Sequence, residues 1–270
     1  MQKFEDRLAV VTGGGSGMGR DLAVQLSQQG ADVALCDVAE EAMAGTVELC
    51  NTSRRITSHI CDVSDESAVQ KFRQEVADQH ETEAIHLLFN NAGIGGGGSF
   101  VTDERSSWER TFDICWGGVY YGCRAFLPML IAADEAHIVN TSSVNGFWAS
   151  IGPNRPHTAY AAAKFAVKGF TEALVTDLRL NAPHVKCSVV MPGHIGTGIA
   201  LNSTLIQGGE ADPEVTEWAN AFRNNAPTTS EQAATVILDG VRDERWRILI
   251  GDDAHVLDAL VREDPEQAYE

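Results

Sequence analysis

Short apolar runs rich in β-branched residues alternate with longer amphipathic segments from residue 8 to about residue 190. Such alternation is typical of repeated βα units that build a parallel sheet. Strands are predicted at 8–12, 32–37, 56–61, 85–90, 137–142, 186–191 and 247–250. Helices are predicted at 17–29, 39–50, 66–80, 106–132, 159–180 and 230–242. The pattern therefore indicates an α/β fold with about seven strands in a doubly wound parallel sheet and helices on both faces.

Two segments interrupt the pattern, the glycine run 95–98 and the long irregular stretch 198–225. Both leave from the carboxyl ends of predicted strands, where ligands bind in open α/β sheets. We expect them to form the walls of a pocket, with 198–225 as a substrate loop or lid. For the glycine run, a flexible surface loop is an equally good interpretation.

The size and composition of the chain suit one large domain. With 270 residues, of which 44% are hydrophobic and 21% charged, it can bury a full core. No internal repeat or linker-like tract divides the chain, so a single Rossmann-like domain is expected over residues 1–270. The final segment, 252–270, is expected to form a C-terminal cap.

Charge and cysteine usage narrow the choice of partners. A formal charge of −18 would repel nucleic-acid phosphates and anionic lipid. No stretch approaches the ~20 apolar residues that span a bilayer, and the polar N-terminus leads straight into a strand, unlike a signal peptide. The six cysteines, at positions 36, 50, 61, 115, 123 and 187, form no C-x-x-C pair, so we expect buried free thiols and no metal site. These features predict a soluble, cytoplasmic protein that acts on a small molecule.

A glycine-rich turn joins the first predicted strand to the first predicted helix and reads Thr12-Gly-Gly-Gly-Ser-Gly-Met-Gly19. Glycine lets the backbone approach a pyrophosphate closely, and a helix N-terminus offers free N–H groups and a partial positive charge. This turn therefore explains how an acidic protein can hold an anionic dinucleotide. Its candidate cofactor-binding residues are Gly13, Ser16, Gly17, Met18 and Gly19.

The second predicted strand ends at Asp37, where an acidic residue of such a fold hydrogen-bonds the adenosine ribose. A 2′-phosphate at this point would meet a carboxylate. Discrimination in favour of NADP needs a basic residue in the turn or just after the strand, and Val38 follows Asp37. Arg20 lies past the turn, where packing or surface pairing is the expected role. The sequence therefore favours NAD.

Tyr160-Ala-Ala-Ala-Lys164 places a phenol and an ammonium one helical turn apart on one face. A free tyrosine has a pKa near ~10, so proton transfer near neutral pH requires a cation that stabilises the phenolate. Lys164 can be that cation. The same spacing also arises by chance in ordinary amphipathic helices, so the pair acquires meaning only from the rest of the chain.

From about residue 5 to 200 the chain resembles the short-chain dehydrogenase/reductase family, with the Tyr-x-x-x-Lys pair of that family and an NAD-preferring cofactor motif. The motifs that carry the resemblance are Thr12-Gly-x-x-x-Gly17-x-Gly19, Asp62-Val63, Asn90-Asn-Ala-Gly93, Ser142-Ser143, Tyr160-x-x-x-Lys164 and Pro192-Gly-x-Ile-x-Thr197. Each has a structural alternative, such as a helix cap or a strand end, but their occurrence together and in family order favours the functional interpretation.

The resemblance implies three catalytic residues. Tyr160 would transfer the proton while hydride moves between the substrate carbon and the nicotinamide. Lys164 would bind the nicotinamide ribose and lower the pKa of the tyrosine. Ser143 would hydrogen-bond the substrate oxygen as charge develops on it, and Ser142 would be a strand-end residue.

Further cofactor contacts are implied after three of the predicted strands. By resemblance, Asp62 and Val63 would hold the adenine. Asn91 would lie beside the cofactor ribose. Ile195 and Thr197 would flank the nicotinamide carboxamide.

The chain departs from the family pattern at two places. Cys115 stands where many members have an asparagine that holds a water in the proton relay behind the lysine, and a thiol cannot hold a water as an amide can. Proton exchange by another route is the favoured interpretation; a slow or unusually tuned enzyme, or cofactor binding without turnover, are the alternatives.

The second departure is an insertion at 153–157, interpreted first as a surface bulge. Alternatively, Arg155 or His157 reaches the pocket mouth and selects a polar substrate.

The sequence thus predicts an NAD-dependent alcohol dehydrogenase or ketone reductase. The expected pocket, formed by 95–100, 145–148, His194, Ile195 and 198–218, is mainly apolar and suits a secondary alcohol or ketone with a hydrophobic or cyclic body. A regulatory dinucleotide-binding protein, and a lyase or epimerase on the same fold, are alternatives. By resemblance, a homo-oligomer is expected, either a dimer or a tetramer.

Overall fold

The computed structural model describes residues 1–96, 98–152, 155–210 and 212–269. Its seven-stranded parallel sheet has the order β3-β2-β1-β4-β5-β6-β9. The strands are β1 (Leu8–Thr12), β2 (Asp32–Asp37), β3 (Ile56–Ile60), β4 (Leu87–Asn90), β5 (Ala136–Thr141), β6 (Val185–Pro192) and β9 (Arg247–Ile250). A separate two-stranded pair joins β7 (Ile195–Gly196) to β8 (Thr228–Thr229). The predicted fold class is confirmed.

Helices cover both faces of this sheet. Successive β1 residues point to opposite sides, so that Val10 packs in the cluster beneath α3, α5 and α6 and Val11 in the cluster beneath α1 and α9. The helices are α1 (Gly17–Gln28), α2 (Glu40–Leu49), α3 (Glu66–His80), α4 (Arg105–Phe112), α5 (Gly118–Ile131), α6 (Thr158–Asn181), α7 (Ile199–Ile206), α8 (Pro213–Asn224), α9 (Ser230–Arg242) and α10 (Asp252–Glu263). Within the described chain, no helix is both long and apolar enough to cross a membrane.

The helix predicted over 106–132 is present over 105–131, and the prediction is wrong only in making it α-helical throughout. A turn of π-helix, Asp113–Gly117, separates α4 from α5. Directly after this turn, α5 lies close to the end of β3: a Cβ on Gly118 would lie 2.7 Å from a methyl group of Val63. Such π turns occur often at functional sites, and this one carries Cys115.

The prediction of irregular structure over 198–225 is also wrong, because α7 and α8 lie within it. The start of α8 is a standard helix N-terminus: the Asp212 side chain accepts a hydrogen bond from the Val215 N–H, and Pro213 occupies the first helical turn. The segment lies beyond the carboxyl end of β6, on the side where a ligand would bind.

The strand order places a crevice between β1 and β4. From β1 the sheet continues through β2 and β3 on one side and through β4, β5 and β6 on the other. In doubly wound sheets, ligands bind at such a point, outside the carboxyl ends of the strands. The predicted site residues follow these ends.

Candidate active site

The glycine-rich turn after β1 packs too tightly for larger residues. Gly13 has a φ of +68°, and a Cβ on it would lie 2.9 Å from the Ala92 Cα. A Cβ on Gly19 would overlap the carbonyl oxygen of Gly13. Gly19 therefore supports the turn from inside α1 and does not line the cleft beside it.

A cleft of about 340 Å³ opens beside this turn at the carboxyl ends of β1 to β4. Nine of the predicted cofactor residues line it, namely Gly13, Ser16, Gly17, Met18, Asp37, Asp62, Val63, Asn91 and Thr197. Ile195 does not line it; it is 5% exposed and packs in the core beneath α1 and α9. The structure thus brings together most of the predicted cofactor site and assigns Gly19 and Ile195 to its support.

Asp37 is oriented by the glycine turn that it faces. Its carboxylate accepts hydrogen bonds from the Gly15 N–H at 3.0 Å and the Ala39 N–H at 3.2 Å. The Arg20 guanidinium donates to the Gly15 carbonyl at 2.6 Å and to Thr46 at 3.2 Å, and it does not line the cleft. The structural role expected for Arg20 matches these contacts.

The donors and acceptors around Asn91 fit a nicotinamide dinucleotide. The Asn91 backbone N–H donates to the Thr12 hydroxyl at 3.0 Å, and its side-chain amide donates to the Thr12 carbonyl at 3.1 Å. The remaining Oδ1 is buried and has no partner among the described residues. Because buried polar atoms are normally paired, this oxygen fits a sugar hydroxyl that donates to it.

At the far end of the cleft, Asp62 pairs with Arg110 of α4. Arg110 donates to Asp62 and to the Ser64 hydroxyl, each at 2.8 Å, while Ser64 donates to Asp62 through both its N–H and its hydroxyl. Burial raises the pKa of Asp62, but these hydrogen bonds outweigh burial and hold it below its usual value. Sequence reasoning missed Arg110, which lies 48 positions from Asp62 and belongs to no motif.

The three predicted catalytic residues lie together beside this cleft. Tyr160 and Lys164 occupy successive turns of α6, with the Lys164 Nζ 5.3 Å from the centre of the tyrosine ring. Ser143 follows β5 and hydrogen-bonds the Tyr160 side chain. The cleft reaches these residues through Gly93, where a Cβ would lie 3.5 Å from the Lys164 Nζ.

Backbone contacts hold this group in place. Lys164 is 3% exposed, and its Nζ donates to the Thr141 carbonyl at 2.9 Å. Ser142 donates to the Lys164 carbonyl at 2.7 Å and so ties α6 to the end of β5, in keeping with the strand-end role expected for it. The Asn145 N–H donates to the Ser143 hydroxyl at 3.1 Å. The site is therefore built on the rigid end of the sheet.

Burial acts against ionisation of both catalytic groups. It raises the pKa of Tyr160, and the hydrogen bond from Ser143 opposes that rise only in part. It also lowers the pKa of Lys164. In the chain by itself, desolvation of the phenolate is thus the largest influence on the pKa of Tyr160. That Lys164 lowers this pKa in the cofactor-bound site stays a prediction.

Cys115 lies behind Lys164, where the relay position was expected. A Cβ on Gly93 would lie between the two side chains, 3.5 Å from the Lys164 Nζ and 3.7 Å from the Cys115 Sγ. The thiol donates to the Ile94 carbonyl at 3.2 Å. Its proton is therefore engaged with the backbone.

The helix α7 is tied across the mouth of the cleft by three side chains. Asn202 donates to the Ser16 hydroxyl at 3.2 Å, Ser203 accepts from the Gly95 N–H at 2.7 Å, and Gln207 donates to the Thr111 hydroxyl at 3.1 Å. These contacts join the helix to the glycine turn, to the loop after β4 and to α4. Apolar residues of α7 complete the cleft wall, namely Ile199, Leu205 and Ile206.

The insertion places His157 beside the catalytic tyrosine. The rings of His157 and Tyr160 are 4.6 Å apart and inclined by 33°. Arg155 is exposed, while Pro153 and Asn154 lie outside the described residues. The favoured interpretation of 153–157 as a surface bulge therefore does not describe His157, which approaches the site as the alternative interpretation expected.

The remaining predicted pocket residues are divided between the site and its surroundings. Asn145 lies next to Ser143 and uses its side-chain amide to hold the carbonyls of Trp148 and Ser150, each at 2.9 Å. His194 turns away from the cleft towards the Phe222 carbonyl, 2.7 Å from its ring nitrogen.

Comparison with known proteins agrees with this arrangement. The family model for short chain dehydrogenases matches residues 7–205. SadH of Mycobacterium tuberculosis, which is named as an oxidoreductase, is 39% identical over 264 residues, covering 97% of this chain and 92% of that protein. The meso-2,3-butanediol dehydrogenase of Serratia marcescens is 31% identical over 248 residues, covering 88% of this chain and 95% of the enzyme.

A solved structure extends the agreement to the whole fold. The crystal structure of a short-chain dehydrogenase/reductase from Burkholderia phymatum in complex with NAD matches with a TM-score of 0.87 and 32% identity, covering 100% of this chain and 98% of that one. The chain therefore belongs to the short-chain dehydrogenase/reductase family of oxidoreductases.

Proposed function

We propose that this protein is an NAD-dependent oxidoreductase that interconverts a secondary alcohol and a ketone. The observation that carries the proposal is the grouping of Ser143, Tyr160 and Lys164 at one end of the cleft. A phenol that hydrogen-bonds a serine and lies beside a buried ammonium is equipped to move a proton to or from a substrate oxygen.

The bound nicotinamide would supply or accept the hydride. Tyr160 would give its proton to the carbonyl oxygen in reduction and take the hydroxyl proton in oxidation. Ser143 would donate a hydrogen bond to the same oxygen as it gains negative charge. Lys164 and Asn91 would hold the cofactor ribose, and the positive charge of Lys164 would favour the phenolate when Tyr160 gives up its proton.

The preference for NAD over NADP rests on Asp37. Its carboxylate lies at the cleft wall, where the negative 2′-phosphate of NADP would be repelled. Among the described lining residues the basic side chain is Arg110, and it is already paired with Asp62. The NAD complex of the Burkholderia phymatum protein supports the same assignment.

The substrate that we propose has a hydrophobic body. Beyond the glycine turn the cleft is lined by apolar side chains, including Ile94, Ile114 and Leu205. The helix α7 and the following α8 would act as the lid over it, and α10 with the residues after it as the C-terminal cap. The named substrate of the Serratia marcescens relative is a small secondary alcohol with two hydroxyl groups, so it supports the proposed reaction and not the hydrophobic body.

The protein is also proposed to be a cytoplasmic homo-oligomer. Cys36, Cys50, Cys61, Cys115, Cys123 and Cys187 are free and buried, as is usual for proteins of reducing compartments. Two copies would associate through an apolar face formed by Trp116, Tyr120, Phe165 and Phe170.

The test is NADH formation against a panel of secondary alcohols, with NADP measured alongside. We expect turnover with NAD and a loss of about 100-fold or more in Tyr160→Phe without loss of NADH binding. Faster turnover with NADP would contradict the role of Asp37. Tight NADH binding without turnover on any alcohol would favour the regulatory alternative, and turnover without net change in NADH would favour a lyase or epimerase.

A further inference from the structure

We propose that His157 recognises a second oxygen of the substrate, so that the preferred substrates are alcohols with a hydroxyl or carbonyl group on the carbon next to the reacting one. This inference rests on the proposed function, because it concerns the substrate that Tyr160 would act on. It is carried by the position, the free hydrogen-bonding capacity and the surroundings of the imidazole.

The backbone around His157 is fixed by its neighbour Thr158. The Thr158 N–H and hydroxyl both donate to the Gly98 carbonyl, at 3.0 and 2.9 Å, and the Trp108 indole donates to the Thr158 hydroxyl at 3.0 Å. These bonds join the start of α6 to the loop after β4 and to α4. The imidazole is therefore presented from an anchored position, which specific recognition requires.

The His157 ring has unused hydrogen-bonding capacity. The residue is the N-cap of α6, but its side chain makes no capping hydrogen bond, and neither ring nitrogen has a partner among the described residues. Burial lowers the pKa of His157 to about 4, so the ring is neutral near pH 7. A neutral imidazole has one donor and one acceptor nitrogen, and a ligand oxygen can pair with either.

The position of the ring suits an oxygen close to the reacting one. The rings of His157 and Tyr160 are 4.6 Å apart, and Tyr160 and Ser143 would both be directed at the reacting oxygen. A second oxygen on the adjacent carbon lies about 3 Å from the first, which is within hydrogen-bond reach of a group placed beside the tyrosine. His157 can therefore bind it while the catalytic pair is engaged.

The neighbouring wall offers little competition for such an oxygen. Phe100, Trp108 and Phe112 form a row of aromatic rings on the segment that Thr158 ties to α6, with centres 6.1 and 5.5 Å apart. Trp108 uses its single N–H on Thr158. A site that hydrogen-bonds a substrate hydroxyl discriminates strongly against analogues that lack it, because its polar group is then left unpaired.

The matched probes are cyclohexane-1,2-diol, as a mixture of isomers, and cyclohexanol. We expect wild-type kcat/KM to be at least about 10-fold higher for the diol. His157→Phe keeps a flat ring against Tyr160 but removes both nitrogens. It should lower kcat/KM for the diol alone, so that the two compounds become about equally good substrates. His157→Gln, which restores a donor and an acceptor, should recover part of the preference for the diol, and Arg155→Ala should leave that preference unchanged.

A measurement of substrate binding without turnover tests the role of His157 independently of the proposed function. The two compounds are titrated into Tyr160→Phe with bound NADH, alone and combined with His157→Phe, and followed by NMR line broadening. Tighter binding of the diol that depends on His157 would support the inference even if the wild type oxidises neither compound, a result that would refute only the proposed function. An equal loss for both compounds in His157→Phe, or a diol preference that survives it, would overturn the inference.

Discussion

The Arg110 guanidinium reaches the Asp62 carboxylate from α4 and donates to it at 2.8 Å, closing one end of the cleft. Ser64 supplies two further hydrogen bonds to the other oxygen of the same carboxylate. Asp62 is thus held from two sides and retains an acceptor position, which we propose that the adenine amino group occupies. Arg110 is a positioning residue for the contact that the family resemblance implies.

We expect Arg110→Ala to raise the Kd for NADH by about 3- to 10-fold, a modest change because both side chains are about one-third exposed. Reduced nicotinamide mononucleotide, which lacks the adenosine half, should bind both proteins equally. Tryptophan fluorescence quenching measures both constants. Arg105→Ala, which removes an exposed pair with Glu109 on the same helix, is the matched control. Equal weakening of the two ligands would show that Arg110 acts on the fold and not on adenine.

Replacing Cys115 by asparagine tests the departure from the family relay. The thiol donates to the Ile94 carbonyl and lies close to Lys164, so an amide here could hold a water that the thiol cannot. We expect Cys115→Asn to raise kcat by less than about 100-fold, because we propose that the native protein exchanges the Tyr160 proton by another route. Cys115→Ala is the control, since it removes the thiol without adding an amide.

The solvent deuterium isotope effect on kcat provides a second measurement for the same variants. It should fall in Cys115→Asn if the amide restores a faster proton path, and it should not fall in Cys115→Ala. A rise in kcat beyond about 100-fold would instead show that the native relay is effectively broken. Thermal unfolding is measured alongside, because the larger amide enters a fully buried position.

The sheet was predictable because its inner strands are buried on both faces. All five residues of β1 are buried, so the strand is a continuous apolar run bounded by polar residues and a glycine turn. The predicted residues that line the cleft could be found for a related reason, since most of them lie within a few residues of a strand end. The residues of each such motif are close together in the sequence, so the local pattern of residues is enough to identify them.

Contacts between distant segments were not predictable in this way. The π turn at Asp113–Gly117 keeps a helical pattern of apolar residues, so the pattern predicts no more than a helix there. The close approach of the neighbouring Gly118 to Val63 joins segments that are far apart in the sequence. The pairing of Arg110 with Asp62 likewise depends on where α4 is placed. The helix α8 could have been predicted locally, because Asp212 followed by Pro213 is a typical helix N-terminus.

Aromatic residues on α5 and α6 form an apolar face that suits a second copy of the chain. The Trp116 ring lies 6.0 Å from Tyr120 and 5.5 Å from Phe170, while Tyr120 and Phe165 are 40% and 43% exposed. Gly118, at the start of α5, packs against Val63 within the chain. The association that we propose therefore rests on the aromatic side chains.

We expect Phe165→Glu to lower the molar mass measured by light scattering to that of a smaller species, because it places a charge in the apolar contact. Leu49→Glu is the matched control: Leu49 is also exposed, at 57%, but lies on α2, away from this face. Circular dichroism checks that both variants keep their helical content. An unchanged mass for Phe165→Glu, or the same dissociation in both variants, would contradict the assignment of this face.

His137 makes the stability of the fold depend on pH. Ser188 donates to the Arg245 carbonyl at 2.6 Å, so its hydroxyl accepts the hydrogen bond from the His137 Nε2 at 2.6 Å. The Nδ1 is then buried without a partner among the described residues. Burial is the main reason that the pKa of His137 falls to about 3. Protonation would add a buried N–H with no acceptor.

The unfolded chain, in which histidine has a pKa near ~6.5, takes up this proton before the folded chain does. The contribution of His137 to stability is therefore full above about pH 6.5 and is lost as the pH falls from there towards 3. Between pH 7 and pH 5 the loss amounts to about 2 kcal/mol of the free energy of unfolding. The free energy of unfolding is measured by urea unfolding at pH 7 and at pH 5. His137→Gln keeps a donor for Ser188 but does not titrate, so between these pH values it should lose about 2 kcal/mol less stability than the wild type. His255→Gln, on the exposed surface of α10, is the control and should lose as much stability as the wild type. If His137→Gln also loses as much stability as the wild type, the His137 imidazole is protonated in the folded protein and the assignment is wrong.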